Sequence, residues 1–172
     1  DKVAMRTAER LFASYCSTCH GSDARGAVGF PNLRDGIWSW GGDPKQIKST
    51  ILDGRIGIMP GWATPLGGTQ GVDDVTEYVL SLSGQEVNAD QLLSGQEKFQ
   101  TFCIGCHGVD GTGNPAVGAP NLTDMTWLYG GSRESIHRSI AVGRRGQMPG
   151  HQSFLGEHKV HLLAAYIVSL NP

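Results

Sequence analysis

Apolar residues recur at helical spacing in three kinds of stretch, and each kind occurs twice along the chain. Val75, Tyr78, Val79 and Leu82 follow the i, i+3, i+4, i+7 rhythm of an amphipathic helix, and Leu163, Tyr166, Ile167 and Leu170 repeat it. A shorter helix is predicted from about Asp43 to Asp53 and again from about Ser132 to Val142, with Ile47/Ile51 and Ile136/Ile140 facing inward. In a third helix Phe12 and Phe99 lie four residues after Ala8 and Gly95, so a small and an aromatic residue share one face and permit a close crossing. Glycine-rich loops join these stretches, and no strand alternation of useful length is visible. The pattern predicts an all-α chain.

The pairing of stretches is a duplication. Phe12, Cys16, Cys19, His20 and Gly26 recur as Phe99, Cys103, Cys106, His107 and Gly113 at an offset of 87. A two-residue insertion then moves the offset to 89, where Pro31-Asn32-Leu33 matches Pro120-Asn121-Leu122 and Trp38, Gly41 and Gly42 match Trp127, Gly130 and Gly131. Arg55, Met59, Pro60 and Gly61 likewise match Arg144, Met148, Pro149 and Gly150. Two homologous domains follow, 1–85 and 86–172, each with about three main helices, and the polar segment Ser83 to Asn88 reads as the linker.

Composition raises a difficulty for domains of that size. Glycine is 25 of 172 residues, about twice its usual share of roughly 7%, and aromatics reach only 8%. Such a chain has much backbone freedom to lose and few large side chains to bury, so a non-protein group is expected to fill part of each core. Charge adds little: the formal net charge is −2, and the absence of a basic stripe argues against nucleic acid. The longest apolar stretch, Leu162 to Leu170, is far short of a membrane span. The start lacks the regions of a signal peptide, so the chain reads as mature or excised.

The four cysteines identify the missing group. They fall in Cys16-Ser17-Thr18-Cys19-His20 and Cys103-Ile104-Gly105-Cys106-His107, both Cys-x-x-Cys-His, the signature of c-type haem attachment. In such a motif two thiols form thioethers to the porphyrin edge, and the adjoining histidine is held beneath the iron. Two copies imply two covalently bound haems c, with His20 and His107 as axial ligands. A zinc site fits poorly, since the pairs are over eighty residues apart and each ends in histidine. A thioredoxin-like pair needs a βαβ pattern that is absent, and two structural disulfides leave both histidines coincidental.

The sixth iron ligand decides between electron transfer and catalysis. Met59 and Met148 are the only duplicated methionines, each followed by Pro-Gly before the last helix, whereas Met5 and Met125 have no partner. Met/His ligation marks electron-transfer haems and raises the potential relative to two histidines. His137, His151, His158 and His161 all lie in the second half. His151 is three residues after Met148, close enough in sequence to compete, but without a counterpart it reads as a surface or locally satisfied residue. Around the haems, Pro31 and Pro120 offer carbonyls to orient the axial histidines, or simply stiffen a turn. Arg55 and Arg144 suit haem propionates or solvated helix ends, and Trp38 and Trp127 suit propionate hydrogen bonding or packing.

Both halves resemble class I cytochrome c domains. The whole chain, from about Leu11 to Leu170, is similar to the soluble dihaem portion of the cytochrome c subunit of cbb3-type haem-copper oxidases. That resemblance rests on Gly118-Ala119-Pro120-Asn121-Leu122-Thr123-Asp124, Trp127-Leu128-Tyr129-Gly130-Gly131 and Lys159-Val160-His161-Leu162-Leu163-Ala164-Ala165-Tyr166. In the first half it rests on His20-Gly21-Ser22-Asp23-Ala24-Arg25-Gly26 and Tyr78-Val79-Leu80-Ser81-Leu82-Ser83-Gly84. The resemblance implies His20/Met59 and His107/Met148 as axial pairs and a bacterial periplasmic location. It also implies single-electron transfer from a quinol-oxidising complex or donor cytochrome c to the oxidase subunits that reduce oxygen. Family members usually carry an N-terminal membrane anchor, and this chain starts at Asp1 without one. A freely diffusing dihaem shuttle and a dihaem peroxidase are the alternatives; the peroxidase requires an open iron site that a duplicated methionine does not leave.

Overall fold

The computed structural model describes residues 1–171; the expected C-terminal limit of the second domain, Pro172, lies outside the described residues. The elements in chain order are α1 (Lys2–Tyr15), α2 (Ser17–His20), α3 (Pro44–Asp53), β1 (Arg55–Pro60), α4 (Thr69–Leu82), α5 (Ala89–Phe102), α6 (Ile104–His107), α7 (Arg133–Val142), β2 (Gly143–Met148) and α8 (Gln152–Ser169). Helix starts follow local chemistry. Asp1 caps α1, Asp43 forms a capping box with Gln46 ahead of Pro44 in α3, and Asn88 and Ser132 cap α5 and α7.

The all-α expectation is corrected by β1 and β2, which pair as a two-stranded antiparallel ribbon. Alternation is present in β1, but inverted: Ile56 and Ile58 point outward at 52% and 66% exposure, while Arg55, Gly57 and Met59 form the less exposed face. In β2 the sequence Gly-Arg-Arg-Gly-Gln-Met has no apolar alternation at all. A search for buried apolar residues at every second position misses both strands.

Two compact units emerge, and they cut across the two sequence halves. One is Asp1–Ile56 with Gly146–Pro172, the other Gly57–Arg145. The chain leaves the first unit within β1 and returns to it within β2, so each unit takes its last helix from the other sequence half. In the first unit α8 packs on α1 and α3 around Phe12, Ile47, Ile51, Val160, Leu163 and Ile167. In the second, α4 packs on α5 and α7 around Val72, Val75, Val79, Phe99, Ile136 and Ile140. The segment Ser83 to Asn88, read as a domain linker, is the turn between α4 and α5 inside the second unit.

Close crossing explains the small residues. A Cβ on Gly95 would stand 2.0 Å from the Asp74 carbonyl oxygen, so α5 approaches α4 backbone to backbone, and Ala8 on α1 is fully buried at the matching position. Beside this crossing the buried Asp74 carboxylate accepts hydrogen bonds from Gln70, Gln91, Ser94 and Lys98 at 2.7 to 3.1 Å. Burial alone would raise its pKa, but those donors outweigh burial and hold the carboxyl well below the usual range. The neighbouring buried Glu77 accepts from the Asn88 backbone N–H and pairs with Arg133. Asp74→Asn is expected to destabilise the second unit by about 2–3 kcal/mol at neutral pH, since one buried acceptor cluster loses its charge. Because the native pKa is depressed, this difference is full above about pH 4 and shrinks as the pH falls below that. Urea titrations of wild type and variant at several pH values check it; a difference that grows on acidification would refute it.

Candidate functional site

Each Cys-x-x-Cys-His motif forms a one-turn helix directly after a long one, α2 after α1 and α6 after α5, which places both thiols and the histidine on one short rigid segment. Cys19 and Cys106 are exposed, Cys16 and Cys103 half-buried, and all four are free. Burial, with a small addition from the partner cysteine, pushes the Cys16 and Cys103 thiols up to about 11. They stand as protonated thiols in the free chain at neutral pH. Among the described residues no group of three or more His, Cys, Asp or Glu is placed to hold a metal ion by itself.

His20 and His107 are both buried, and each ring Nδ1 lies 3.1 Å from a proline carbonyl, Pro31 and Pro120 respectively. A carbonyl can only accept, so Nδ1 carries the proton and Nε2 keeps its lone pair. Burial lowers both histidine pKa values, which the proline hydrogen bonds partly oppose; at His20 the nearby His151 lowers it further. The result is a neutral imidazole fixed in orientation with a free nitrogen donor. Glycine makes this possible. Gly26 and Gly113 have φ of +71° and +87°, and a Cβ on either would stand within 2.7 Å of the proline segment, so any side chain would push that carbonyl away.

The two methionines are half-buried, but their neighbours differ from the pairing that the resemblance implies. Met148 packs on the core of the first unit, with Phe12, Leu33 and Cys16; Met59 packs on the core of the second, with Phe99, Leu122 and Cys103. His20 therefore shares its unit with Met148, and His107 shares its unit with Met59. The exchange of the last helix carries the methionine with it.

Arg55 and Arg144 are held alike. Arg55 Nε donates to Thr50 Oγ1 at 2.9 Å and its guanidinium lies 5.2 Å from the Trp40 ring centre. Arg144 Nε donates to Ser139 Oγ at 2.8 Å and its guanidinium lies 4.6 Å from that of Tyr129. Neither arginine has a carboxylate partner among the described residues, which leaves guanidinium N–H groups for an anion. In the first unit Arg55, Trp40 and Met148 line one cleft of about 430 Å³. Thr50, Ser139, Trp40 and Tyr129 were not among the residues predicted from sequence, although the offset of 89 relates each pair.

Trp38 and Trp127 pack on the second glycine of each Gly-Gly pair: a Cβ on Gly42 or Gly131 would stand 2.2 or 2.4 Å from the indole. Trp127 Nε1 is buried without a hydrogen-bond partner. A buried N–H donor left alone is costly, and a haem propionate is an acceptor of the right kind. The donor set fits covalent haem in each unit: paired thiols, a pinned neutral imidazole, a thioether and, in the second unit, an orphaned indole.

Comparison with known proteins agrees with this chemistry. Residues 3–79 and 90–167 match the family described as cytochrome c oxidase, cbb3-type, subunit III. The chain is 47% identical over 171 residues to the cbb3-type cytochrome c oxidase subunit CcoP of Rubrivivax gelatinosus, covering 99% of this chain and 56% of that protein. It is 40% identical to the CcoP of Cereibacter sphaeroides and 37% identical to the FixP of Bradyrhizobium diazoefficiens, covering 98% of this chain in both cases and 62% and 61% of those proteins. The chain thus spans less than two thirds of the length of these relatives. Among the described residues no helix is long and apolar enough to cross a membrane.

Proposed function

We infer, for a chain that belongs to the cbb3-type cytochrome c oxidase subunit III family, that its two units carry single electrons to the oxygen-reducing subunits of such an oxidase. The chain is a dihaem c-type cytochrome and not an enzyme on its own. The carrying observation is the repeated arrangement, in each unit, of an attachment helix, a buried histidine with Nδ1 on a proline carbonyl, and a methionine on the same core. Each attached haem supplies a one-electron Fe(II)/Fe(III) couple.

Haem in the first unit would be held by His20 and Met148, and haem in the second by His107 and Met59. In each, the proline carbonyl orients the imidazole and makes it a better donor, and the thioether favours the reduced state relative to a second imidazole. With a histidine and a methionine both holding it, each haem would supply one-electron chemistry and no binding position for substrate. Arg55 and Arg144, stacked on Trp40 and Tyr129, would hold the propionates, and Trp127 would donate to one of them. Electrons arrive from a donor cytochrome c or a quinol-oxidising complex, at the periplasmic face of the inner membrane.

Stopped-flow mixing of the reduced chain with a cbb3-type oxidase lacking this subunit tests the reading. Both haems are expected to be oxidised with accompanying oxygen uptake. Failure to oxidise either haem, together with hydrogen-peroxide turnover by the chain alone, would favour a dihaem peroxidase instead.

A further inference from the structure

The six histidines divide sharply. His20, His107 and His151 are buried at 9%, 8% and 8% exposure; the other three are not. All three buried rings are dressed alike. Nδ1 of His151 lies 2.8 Å from the Pro149 carbonyl, as those of His20 and His107 lie 3.1 Å from Pro31 and Pro120. His151 therefore also keeps its proton on Nδ1 and its lone pair on Nε2, where no hydrogen bond satisfies it. Two of these three histidines are axial ligands by motif. The third has the same tautomer, the same burial and no assigned role.

Its position is as specific as its tautomer. The His151 backbone N–H donates to the Ile51 carbonyl at 2.9 Å, and its ring packs on Phe154 at 5.2 Å. It sits in the first unit, near enough to His20 to disfavour protonation of that ring, and only three residues beyond Met148. The second unit has Trp62 at this point, with the matching backbone bond to the Ile140 carbonyl at 2.8 Å and its ring on Phe102. An indole N–H donates and has no lone pair to give. One unit thus holds a spare nitrogen ligand beside its methionine, and the other does not.

We propose that His151 is a reserve iron ligand of the first unit, whose Nε2 takes the axial position when Met148 leaves it. This rests on the reading above that Met148 is the ligand in that unit. The exchange is a substitution: the Met148 sulfur departs with its lone pair and His151 Nε2 donates its own. The proton stays on Nδ1, donated to the Pro149 carbonyl, so neither proton nor electron is transferred. Ferric iron favours the imidazole more than ferrous iron does, and bis-histidine ligation lowers the potential relative to Met/His. The first unit therefore remains closed to small ligands where the second would open.

Haem-loaded M148L and M59L chains test this, read by electron paramagnetic resonance of the ferric state and carbon monoxide binding to the ferrous state. Both variants are expected to lose half of the weak far-red band of ferric Met–haem. M59L should then show one high-spin iron that binds carbon monoxide. M148L should stay low-spin with a bis-imidazole signature and bind none, and M148L/H151F should become high-spin and bind one equivalent. M148A serves the same purpose should M148L fold poorly. M148L binding carbon monoxide as M59L does, or M148L/H151F staying low-spin, overturns the reserve ligand while leaving the Met148 assignment intact. A full far-red band in M148L overturns that assignment and the proposal with it.

Discussion

A chain with Cys16, Cys19, Cys103 and Cys106 all replaced by serine is expected to show no cooperative thermal transition, whereas the haem-bearing chain unfolds cooperatively. Each compact unit is under ninety residues long, and domains of that size bury proportionately little surface. The cores are correspondingly thin. Among the described residues Phe12 is the one fully buried aromatic of the first unit and Phe99 that of the second, supported by leucines, isoleucines and valines. The second unit also leaves the buried Trp127 indole N–H without an acceptor. That polar atom costs free energy until a partner arrives. Attachment to the native state adds its binding energy to folding, and its removal is expected to cost each unit more than about 5 kcal/mol, the low end of ordinary domain stability. Calorimetry of the two chains decides it. A sharp transition in the serine chain at an unchanged temperature would show that protein alone fills these cores.

The attachment chemistry was legible in the sequence because covalent spacing is local. Cys16, Cys19 and His20 must be near neighbours in the chain, and the same holds for Cys103, Cys106 and His107. Helix positions were legible for a related reason: Ile47/Ile51 and Ile136/Ile140 mark an inward face within a single turn, and α3 and α7 fall where that periodicity puts them. What the sequence hid is which copy of a repeated element packs on which. Leu163 and Val75 occupy equivalent positions in equivalent stripes, so either fits against Phe12 or Phe99, and periodicity carries no information about the choice. Gly26, Gly54, Gly113 and Gly143 face backbone carbonyls of the chain itself, so these glycines bring backbone against backbone. His151 was set aside because it lacked a partner in the other half, yet its replacement by Trp62 there is what distinguishes the two units.

Truncation after Arg145 is expected to destroy the unit that holds Cys16 and Cys19, about 130 residues upstream of the cut, and to spare the unit that holds Cys103 and Cys106. The sequence halves demand the opposite, since residues 146–172 belong to the second repeat. Packing decides against them. The truncation removes Leu155, Val160, Leu163, Ala164 and Ile167 from the core that contains Phe12, Ile47 and Ile51. It also removes Asn171, which accepts from the Gly36 N–H and donates to the Leu33 carbonyl, tying the loop that follows the first attachment site. Every residue of the second core, Val72, Phe99 and Ile140 included, remains. A single buried Leu→Ala typically costs 2–5 kcal/mol, so losing several such side chains exceeds about 10 kcal/mol, more than a small domain has to lose. The proposed ligands follow the helices: Met148 and His151 leave with the cut, while Met59 stays in the same unit as His107. Limited proteolysis of the truncated, haem-loaded chain, with mass spectrometry of the haem peptides, should release the Cys16/Cys19 peptide quickly and protect the Cys103/Cys106 peptide. Leu163→Asp in the full-length chain should weaken the same unit without altering chain length. Protection of the Cys16/Cys19 peptide with release of the other would return each last helix, and its methionine, to its own sequence half.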